Sequence, residues 1–391
     1  EPVGQLLPVE TCSKVALNVD LQQQIQNGLS STFTWTVAAN PNVSGASDGN
    51  GAFITQTLVN TTGSDQVLTY TVTPTAANGC TGADFEVEVT IKPEPVGQLL
   101  PVETCSKVAL NVDLQQQIQN GLSSTFTWTV AANPNVSGAS DGNGAFITQI
   151  LVNTTGSDQV LTYTVTPTAA NGCTGADFEV EVTIKPEPVG QLLPVETCSK
   201  VALNVDLQQQ IQNGLSSTFT WTVAANPNVS GASDGNGAFI TQILVNTTGS
   251  DQVLTYTVTP TATNGCKGAD FEVEVVVDGL EPGVIGNDQT VCITKKPATL
   301  SPIIPAASSA VLSYKWEMST TGCDGPFSDI LTGVESAIVA NLVFTQPLKK
   351  TTYFRRRVFS TRDGLQCEAV NNCVIITILK VDCGAFPWSG D

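Results

Sequence analysis

Residues 84–91 read DFEVEVTI, a stretch in which apolar and polar residues alternate without interruption. The apolar positions are Phe85, Val87, Val89 and Ile91, and the polar positions between them are Glu86, Glu88 and Thr90. Successive side chains of a β-strand point to opposite faces of its sheet, so this period of two is typical of a strand with one buried face. The stretch predicts a half-buried strand.

Two further stretches alternate in the same way, TFTWTV at residues 32–37 and LTYTVT at residues 68–73. They predict buried positions at Phe33, Trp35, Val37, Leu68, Tyr70 and Val72, and outward threonines at Thr32, Thr34, Thr36, Thr69, Thr71 and Thr73. Turn-forming residues fill the stretches between them, at 40–51 and 60–65. The pattern predicts an antiparallel β-sandwich, with one short helical turn in DLQQQIQNG at residues 20–28.

The sequence repeats itself with a period of 93 residues. We call residues 1–93 repeat 1, residues 94–186 repeat 2 and residues 187–280 repeat 3. Repeats 1 and 2 differ only at Thr57, which is Ile150 in repeat 2. A unit of this length suits one autonomous sandwich domain and is too long for a solenoid repeat. Residues 281–382, the last module, are unrelated to the repeats and predict another sandwich, and residues 383–391 begin a following segment.

Charge and composition exclude several classes of function. The chain has 391 residues, no histidine and a net charge of −19. The three repeats carry this charge, with net charges of −6, −6 and −7, while the last 111 residues are neutral. Such a surface repels nucleic acid and anionic lipid. The longest apolar run, residues 373–379, is too short to span a membrane, so we expect neither nucleic-acid binding nor membrane insertion.

Eleven cysteines without histidine indicate an oxidising, extracellular location in which the thiols form disulfides. Each repeat holds two cysteines, and one bridge per repeat is the simplest expectation. The predicted pairs are Cys12 with Cys80, Cys105 with Cys173, and Cys198 with Cys266. Bridges from one repeat to the next are the alternative, and they would leave unpaired ends in the array.

The last module contains five cysteines, so one thiol is left over. By analogy of position with the repeats we predict a bridge between Cys292 and Cys367. The pairing of Cys323 and Cys373 stays open. Cys383 lies beyond the last predicted strand, and we expect it to be unpaired or bonded to a following module. Trp316 and Tyr353 are the expected aromatic core residues.

Several motifs resemble known families. FTWTV, YTVTPTAANGC and FEVEVTIKPEP are similar to the PKD-like repeat of very large Bacteroidota surface proteins. YKWEMSTTG, TTYFRRRV and the stretch from Cys367 to Ile378 resemble the Ig-like domain of gliding-motility adhesins, which are cargo of type IX secretion. The resemblance implies export across the outer membrane to the cell surface and service as a stalk or adhesive filament. It brings no catalytic residues.

Catalysis, cofactors and metals are not expected. Without histidine neither a Ser-His-Asp triad nor a His-containing zinc site can form. The available carboxylates are typical of an exposed, solvated face. They are Asp48, Asp65, Asp84, Glu86 and Glu88. SDGNG at residues 47–51 has the alternate oxygen spacing of a calcium loop but lacks its further acids, so it predicts a turn.

Two surfaces of the predicted domains are candidates for contact with a partner. If the strands that hold the threonines are neighbours, their hydroxyl groups form a two-row ladder beside Glu86 and Glu88. This ladder, or the basic strand FRRRV at residues 354–358, is the candidate surface for a polysaccharide ligand. Self-assembly into filaments and contact between neighbouring repeats of one long chain are the other partner classes.

The joins between repeats also differ. KPEP at residues 92–95 has two prolines, which restrict bending, and predicts a semi-rigid spacer. Before the last module the join becomes DGLEPG, residues 278–283, where glycines flank a single proline. The sequence predicts a hinge there.

Overall fold

A computed structural model describes residues 1–380. The chain divides into two compact units, Glu1–Pro186 and Glu187–Asp391. The first unit contains repeats 1 and 2, and the second contains repeat 3 and the last module. The segment predicted at residues 383–391, with Cys383, lies outside the described residues. Within residues 1–380, no helix has the length and apolar character that crossing a membrane requires.

Repeat 1 consists of strands and one single-turn 3-10 helix at Gln22–Gln24, which confirms the short helical turn. Its strands are Leu7–Cys12 (β1), Val19–Asp20 (β2), Ser31–Val37 (β3), Val43–Ser44 (β4), Gly49–Asn50 (β5), Phe53–Ile54 (β6), Val59–Asn60 (β7), Gln66–Ala76 (β8) and Phe85–Lys92 (β9).

Repeats 2 and 3 form the same elements. In repeat 2 the strands are Leu100–Cys105 (β10), Val112–Asp113 (β11), Ser124–Val130 (β12), Val136–Ser137 (β13), Gly142–Asn143 (β14), Phe146–Ile147 (β15), Val152–Asn153 (β16), Gln159–Ala169 (β17) and Phe178–Lys185 (β18). In repeat 3 they are Leu193–Thr197 (β19), Val205–Asp206 (β20), Ser217–Val223 (β21), Val229–Ser230 (β22), Gly235–Asn236 (β23), Phe239–Ile240 (β24), Val245–Asn246 (β25), Gln252–Ala262 (β26) and Phe271–Val277 (β27). The 3-10 turns are Gln115–Gln117 and Gln208–Gln210.

Each repeat has one five-stranded sheet, with the order β1-β9-β8-β3-β5 in repeat 1. β1 runs parallel to β9, and Cys12 lies opposite Lys92 at the end of both strands. The remaining neighbours in this sheet are antiparallel. Two short ladders, β2 with β6 and β4 with β7, cover its inner face. The predicted all-β sandwich is confirmed.

The core of repeat 1 lies between these layers. The sheet contributes the residues that alternation predicted to be buried, including Phe33, Trp35 and Tyr70. Leu21, Ile54 and Leu58 contact them from the opposite layer and are fully buried. Gly49 is needed where Trp35 crosses β5, because a Cβ there would come within 2.6 Å of the indole ring. Repeats 2 and 3 have equivalent cores.

The last module is a second kind of sandwich. Its strands are Val284–Ile285 (β28), Gln289–Cys292 (β29), Pro302–Ile304 (β30), Val311–Ser319 (β31), Ser328–Asp329 (β32), Thr352–Arg362 (β33), Leu365–Val370 (β34) and Val374–Leu379 (β35). The main sheet has the order β29-β35-β33-β31-β32, and β34 pairs with β33. Trp316 is fully buried, as predicted. Tyr353 is only half-buried, because Phe354 takes the inward position on β33.

Candidate functional site

The predicted bridge between Cys12 and Cys80 is wrong, and the pairing of β1 explains why. Cys12 lies at the C-terminal end of β9, opposite Lys92. Cys80 precedes the eight-residue strand β9, which begins at Phe85. Eight residues of strand span about 26 Å, whereas the Cα atoms of a disulfide lie within about 7 Å of each other. The two cysteines of one repeat therefore occupy opposite ends of its sandwich.

Two disulfides instead join neighbouring domains, one in each unit. Cys12 of repeat 1 is bonded to Cys173 of repeat 2, with a Cα–Cα distance of 5.5 Å. Cys198 of repeat 3 is bonded to Cys367 of the last module, with a Cα–Cα distance of 5.4 Å. Bridges between successive domains, the alternative to one bridge per repeat, are therefore the ones that form here.

These two bonds correct the other predicted pairs. Cys173 is not available to Cys105, and Cys198 is not available to Cys266. Cys367 is likewise not bonded to Cys292. Cys105, Cys266 and Cys292 are themselves disulfide-bonded.

One further disulfide lies within the last module. Cys323 is bonded to Cys373 across 5.8 Å between Cα atoms, which settles a pairing that the sequence left open. Within residues 1–380, Cys80 is the one cysteine that is free, and it is exposed. Unpaired ends are what bridges between successive domains leave behind.

The junction between repeats 1 and 2 surrounds the bridge with polar contacts. The join residues Pro93, Glu94 and Pro95 are all buried. The Glu94 carboxylate forms an ion pair with Lys14, and only 9% of the Glu94 side chain is exposed. Asn171 Nδ2 donates a hydrogen bond of 3.0 Å to the Pro93 carbonyl oxygen. The predicted semi-rigid spacer is thus embedded in the junction.

Local sequence positions each partner of this bridge. After Cys12 the chain turns through Lys14, whose φ of 64° lies in the left-handed region. The Lys14 N–H donates to the Leu58 carbonyl oxygen at 2.7 Å, which holds the turn against its own domain. On the other side, Asn171 Oδ1 accepts the N–H of Cys173 at 3.0 Å. This Asn-Gly-Cys turn presents the cysteine at the end of repeat 2.

The junction between repeat 3 and the last module uses different side chains around a similar bridge. Ser360 donates a hydrogen bond of 2.6 Å to Oδ2 of Asp278, which is buried. Arg362 forms an ion pair with Asp251. This hydrogen-bonded carboxylate is the main reason that the pKa of Arg362 lies above its usual value. Both modules of this unit are therefore joined covalently and by charge.

The join at residues 278–283 is held rather than hinged. The Asp278 carboxylate also accepts the Leu280 N–H at 2.7 Å. Asn371 Nδ2 donates to the carbonyl oxygens of Pro282 at 2.5 Å and Gly283 at 2.7 Å. Gly279 lies directly against the backbone of Ser250. A Cβ at position 279 would come within 2.5 Å of the Ser250 nitrogen. The structure does not support the hinge predicted here, because Gly279 allows its backbone to lie close to that of Ser250.

The basic strand at residues 354–358 does not present a row of free cations. Arg355 donates to the Glu317 carboxylate at 2.8 Å, and Arg357 pairs with Glu368. Arg356 is 1% exposed, donates to the Asn371 side chain, and lies 4.7 Å from the Tyr314 ring centroid. Burial lowers the pKa of this guanidinium below its usual value. The strand is structural.

Carboxylates in the loops serve the fold. Asp48 Oδ1 accepts the N–H of Val37 at 2.8 Å, which agrees with a turn at residues 47–51. In the part of the chain that the structure describes, no group of three or more His, Cys, Asp and Glu side chains converges in a way that could hold a metal ion.

Comparison with protein families assigns the three repeats. The PKD-like domain profile matches residues 9–95, 102–188 and 195–281, which together make up more than half of the chain. The chain belongs to the PKD-like domain family. Residues 281–380, which follow the three PKD-like domains, match a family described only as a domain of unknown function.

The search of curated proteins finds no match to this PKD-like protein. Solved structures that match this chain include Drosophila N-cadherin EC1-4. The match has 11% identity over 96% of this chain and 100% of that chain, with a TM-score of 0.23. The three N-terminal domains of the bacteriophage RB49 outer capsid protein Hoc are 11% identical over 90% and 100%, with a TM-score of 0.30. Both TM-scores are below 0.5, so the family assignment depends on the PKD-like match.

The threonine ladder of the PKD-like domains forms as predicted. β3 and β8 are neighbours, with Thr34 opposite Thr73 and Thr36 opposite Thr71. On the other side of β8, Glu86 of β9 lies opposite Thr71. The β3 threonines are exposed and the β8 threonines are half-buried. The ladder therefore presents threonine side chains along two neighbouring strands on one face of the sheet.

The sequence does not mark the junction residues Lys14, Glu94 and Asn171 as functional. Each is a polar residue beside a turn signal, and such residues are common on solvated surfaces. The signal that the sequence offers is the position of the cysteines relative to the strands. Cys12 reaches repeat 2 because β1 runs parallel to β9, and sequence alone does not reveal that pairing.

Proposed function

We propose that this chain is an extracellular structural stalk in which disulfides between successive domains carry mechanical load. The observation behind this proposal is the bond from Cys12 to Cys173, which spans 161 residues. The bond from Cys198 to Cys367 spans 169 residues in the same way. The disulfides also fit an oxidising, extracellular location.

The position of each bridge determines which residues are stretched when the chain is pulled. Force that enters at Glu1 reaches Cys12 and passes through the disulfide to Cys173. The residues between them include every strand of both sandwiches except β1 and β18, and they lie outside the loaded path. A PKD-like domain of this stalk can lose its fold for a moment without lengthening the chain.

The finer proposal is a stalk in a large repetitive adhesin of the gliding-motility type, carried by a Bacteroidota cell and exported by type IX secretion. Near-identical repeats support this proposal, because a stalk needs length and tolerates gain or loss of units. Its domains are residues 1–93, 94–186, 187–280 and 281–382. The motif resemblance described above also supports it.

A second candidate function is multivalent polysaccharide binding, which the threonine ladder favours. The ladder recurs in all three PKD-like domains, for example as Thr129 opposite Thr164 and Thr222 opposite Thr257. Three such ladders on one chain would add avidity to weak individual contacts.

Beads coated with the purified chain distinguish these functions. A stalk predicts that the beads do not attach to a glycan panel or to the growth surface, because the adhesive part lies elsewhere. The matched variant replaces Thr36, Thr129 and Thr222 with valine, one in each ladder. Retention of the native chain that the variant loses would overturn the stalk in favour of glycan binding.

A further inference from the structure

Repeats 1 and 2 provide a controlled comparison of one surface in two settings. Their sequences differ only at Thr57 and Ile150. Both residues are exposed. The two domains have the same strands in the same register. Any difference in burial at their ends therefore comes from what lies against them.

The end of each domain that carries the Asn-Gly-Cys turn is where they differ. In repeat 2 this end is covered by repeat 1, Cys173 is fully buried and Glu94 is 8% exposed. In repeat 1 the equivalent residues, Cys80 and Glu1, are exposed. Cys80 is a free thiol, whereas Cys173 is bonded to Cys12.

The turn that presents the cysteine is already formed at the uncovered end. Asn78 Oδ1 accepts the Cys80 N–H at 3.0 Å, the same distance as for Asn171 and Cys173. Asn27 Nδ2 donates to the Glu1 carbonyl oxygen at 2.9 Å, as Asn120 does to that of Glu94 at 2.8 Å. Repeat 1 thus has the arrangement that repeat 2 uses to receive a neighbour.

We propose that this surface, formed by Glu1, Asn78 and Cys80, is a docking site for the C-terminal end of a further PKD-like domain joined ahead of Glu1. The new domain would bring the three groups that repeat 1 brings to repeat 2. Its Cys-Ser-Lys turn would supply a lysine for the Glu1 carboxylate and a cysteine for Cys80. The proline carbonyl oxygen of its Lys-Pro join would accept a hydrogen bond from the Asn78 side chain.

A second copy of the present chain is a poor occupant, because it lacks an unoccupied cysteine at the required position. Cys12 and Cys198 are bonded within their units. Cys105 is also disulfide-bonded. The surface therefore fits a domain whose own Cys-Ser-Lys turn is still unpaired. The inference depends on the junction geometry and not on the proposed stalk function.

Bond formation at this site is a two-electron oxidation. The two thiols lose two protons and two electrons as the S–S bond forms. A small-molecule disulfide such as oxidised glutathione accepts them and leaves as two thiols. The first protein thiolate forms a mixed disulfide with glutathione and releases one glutathione thiol. The second protein thiolate then attacks the protein sulfur of this mixed disulfide and displaces the second glutathione thiol.

The test adds one further copy of residues 1–93 ahead of the full chain, with Cys80→Ser in the added copy. The protein is refolded in a glutathione redox buffer and treated with a maleimide. Tryptic peptides locate the label, since the substitution distinguishes the peptide of the added copy from that of the original Cys80. We expect labelling of Cys80 to fall by at least about tenfold relative to the 391-residue chain. A bridge from the cysteine of the added Cys-Ser-Lys turn to Cys80 should appear.

A matched control separates bonding from burial. With Cys12→Ser as well in the added copy, Cys80 has no partner, so it should stay reduced and react after denaturation. Full labelling of Cys80 in the bridge-competent protein would overturn the proposal. So would bridges from Cys80 to Cys80 of another molecule.

Discussion

A buried tyrosine hydrogen-bonds to a glutamine in each PKD-like domain. Tyr70 is fully buried, and its hydroxyl donates to Gln56 Oε1 at 2.8 Å. Gln56 also bonds Ser47, so the tyrosine holds the loop that crosses Trp35. Burial raises the pKa of Tyr70 to about 12, because the phenolate would lose its hydration. Tyr163 and Tyr256 have the same bonds and the same pKa of about 12.

These tyrosines predict a loss of stability in strong base. The pKa in the folded state is above the value of about 10 in an unfolded chain. The stabilisation is therefore complete below about pH 10 and is lost as the pH rises toward 12. Titration followed by phenolate absorbance should show three tyrosines that ionise together with unfolding. A variant with Tyr70, Tyr163 and Tyr256 changed to phenylalanine should lose that absorbance step, and ionisation of all tyrosines near pH 10 would contradict the assignment.

The sequence predicts Tyr70 well and Gln56 poorly, for a physical reason. Tyr70 lies in a regular alternating strand, where period alone assigns it to the core. Gln56 lies between short strands with no periodicity, and its role depends on a hydroxyl that approaches from another part of the chain. Partners of this kind depend on tertiary structure.

At the scale of elements, the join before the last module shows how a glycine signal can be misread. Glycine gives the backbone freedom, and it also lets two backbones approach closely. Gly279 does the second, since its missing side chain makes room for Ser250. The neighbouring Asp278 is anchored to Ser360 across the junction.

Gly279→Ala distinguishes the two roles. A hinge glycine replaced by alanine should leave stability unchanged or raise it slightly, because the unfolded chain loses freedom. Close packing predicts destabilisation of about 1–3 kcal/mol, as expected for overpacking. Gly249→Ala is the control, because a Cβ there would meet only side-chain atoms, the nearest at 3.3 Å. The free energy of unfolding of both variants is measured in denaturant, and amide exchange near Asp278 should be faster in Gly279→Ala. A stabilised Gly279→Ala protein would contradict the packing role.

β1 is the element that the sequence leaves undetermined. Its residues, LPVETC, alternate weakly, and nothing in them selects the partner strand or its direction. Parallel pairing with β9 places Cys12 at the far end of the domain from Cys80. The strong alternation of β3, β8 and β9 predicts the sandwich, while the weakly patterned β1 decides the disulfides.

For the whole molecule, the bridges change the stability of domains as well as their linkage. Closing a span of 161 residues lowers the entropy of the unfolded chain. In the chain-entropy model this is worth about 5 kcal/mol. A bridge within one repeat would have stabilised that domain alone, whereas Cys12–Cys173 and Cys198–Cys367 each couple the unfolding of two domains.

Single-molecule pulling between the two ends of the chain tests the central claim most directly. The bridges span 161 and 169 of the 391 residues, so the oxidised chain should reach less than about a fifth of the extension of the reduced chain. After reduction, each PKD-like domain should unfold separately and add a step of about 300 Å. Circular dichroism before pulling should show that the reductant alone leaves the domains folded. An oxidised chain that extends as far as the reduced one would contradict a load path through Cys12–Cys173 and Cys198–Cys367.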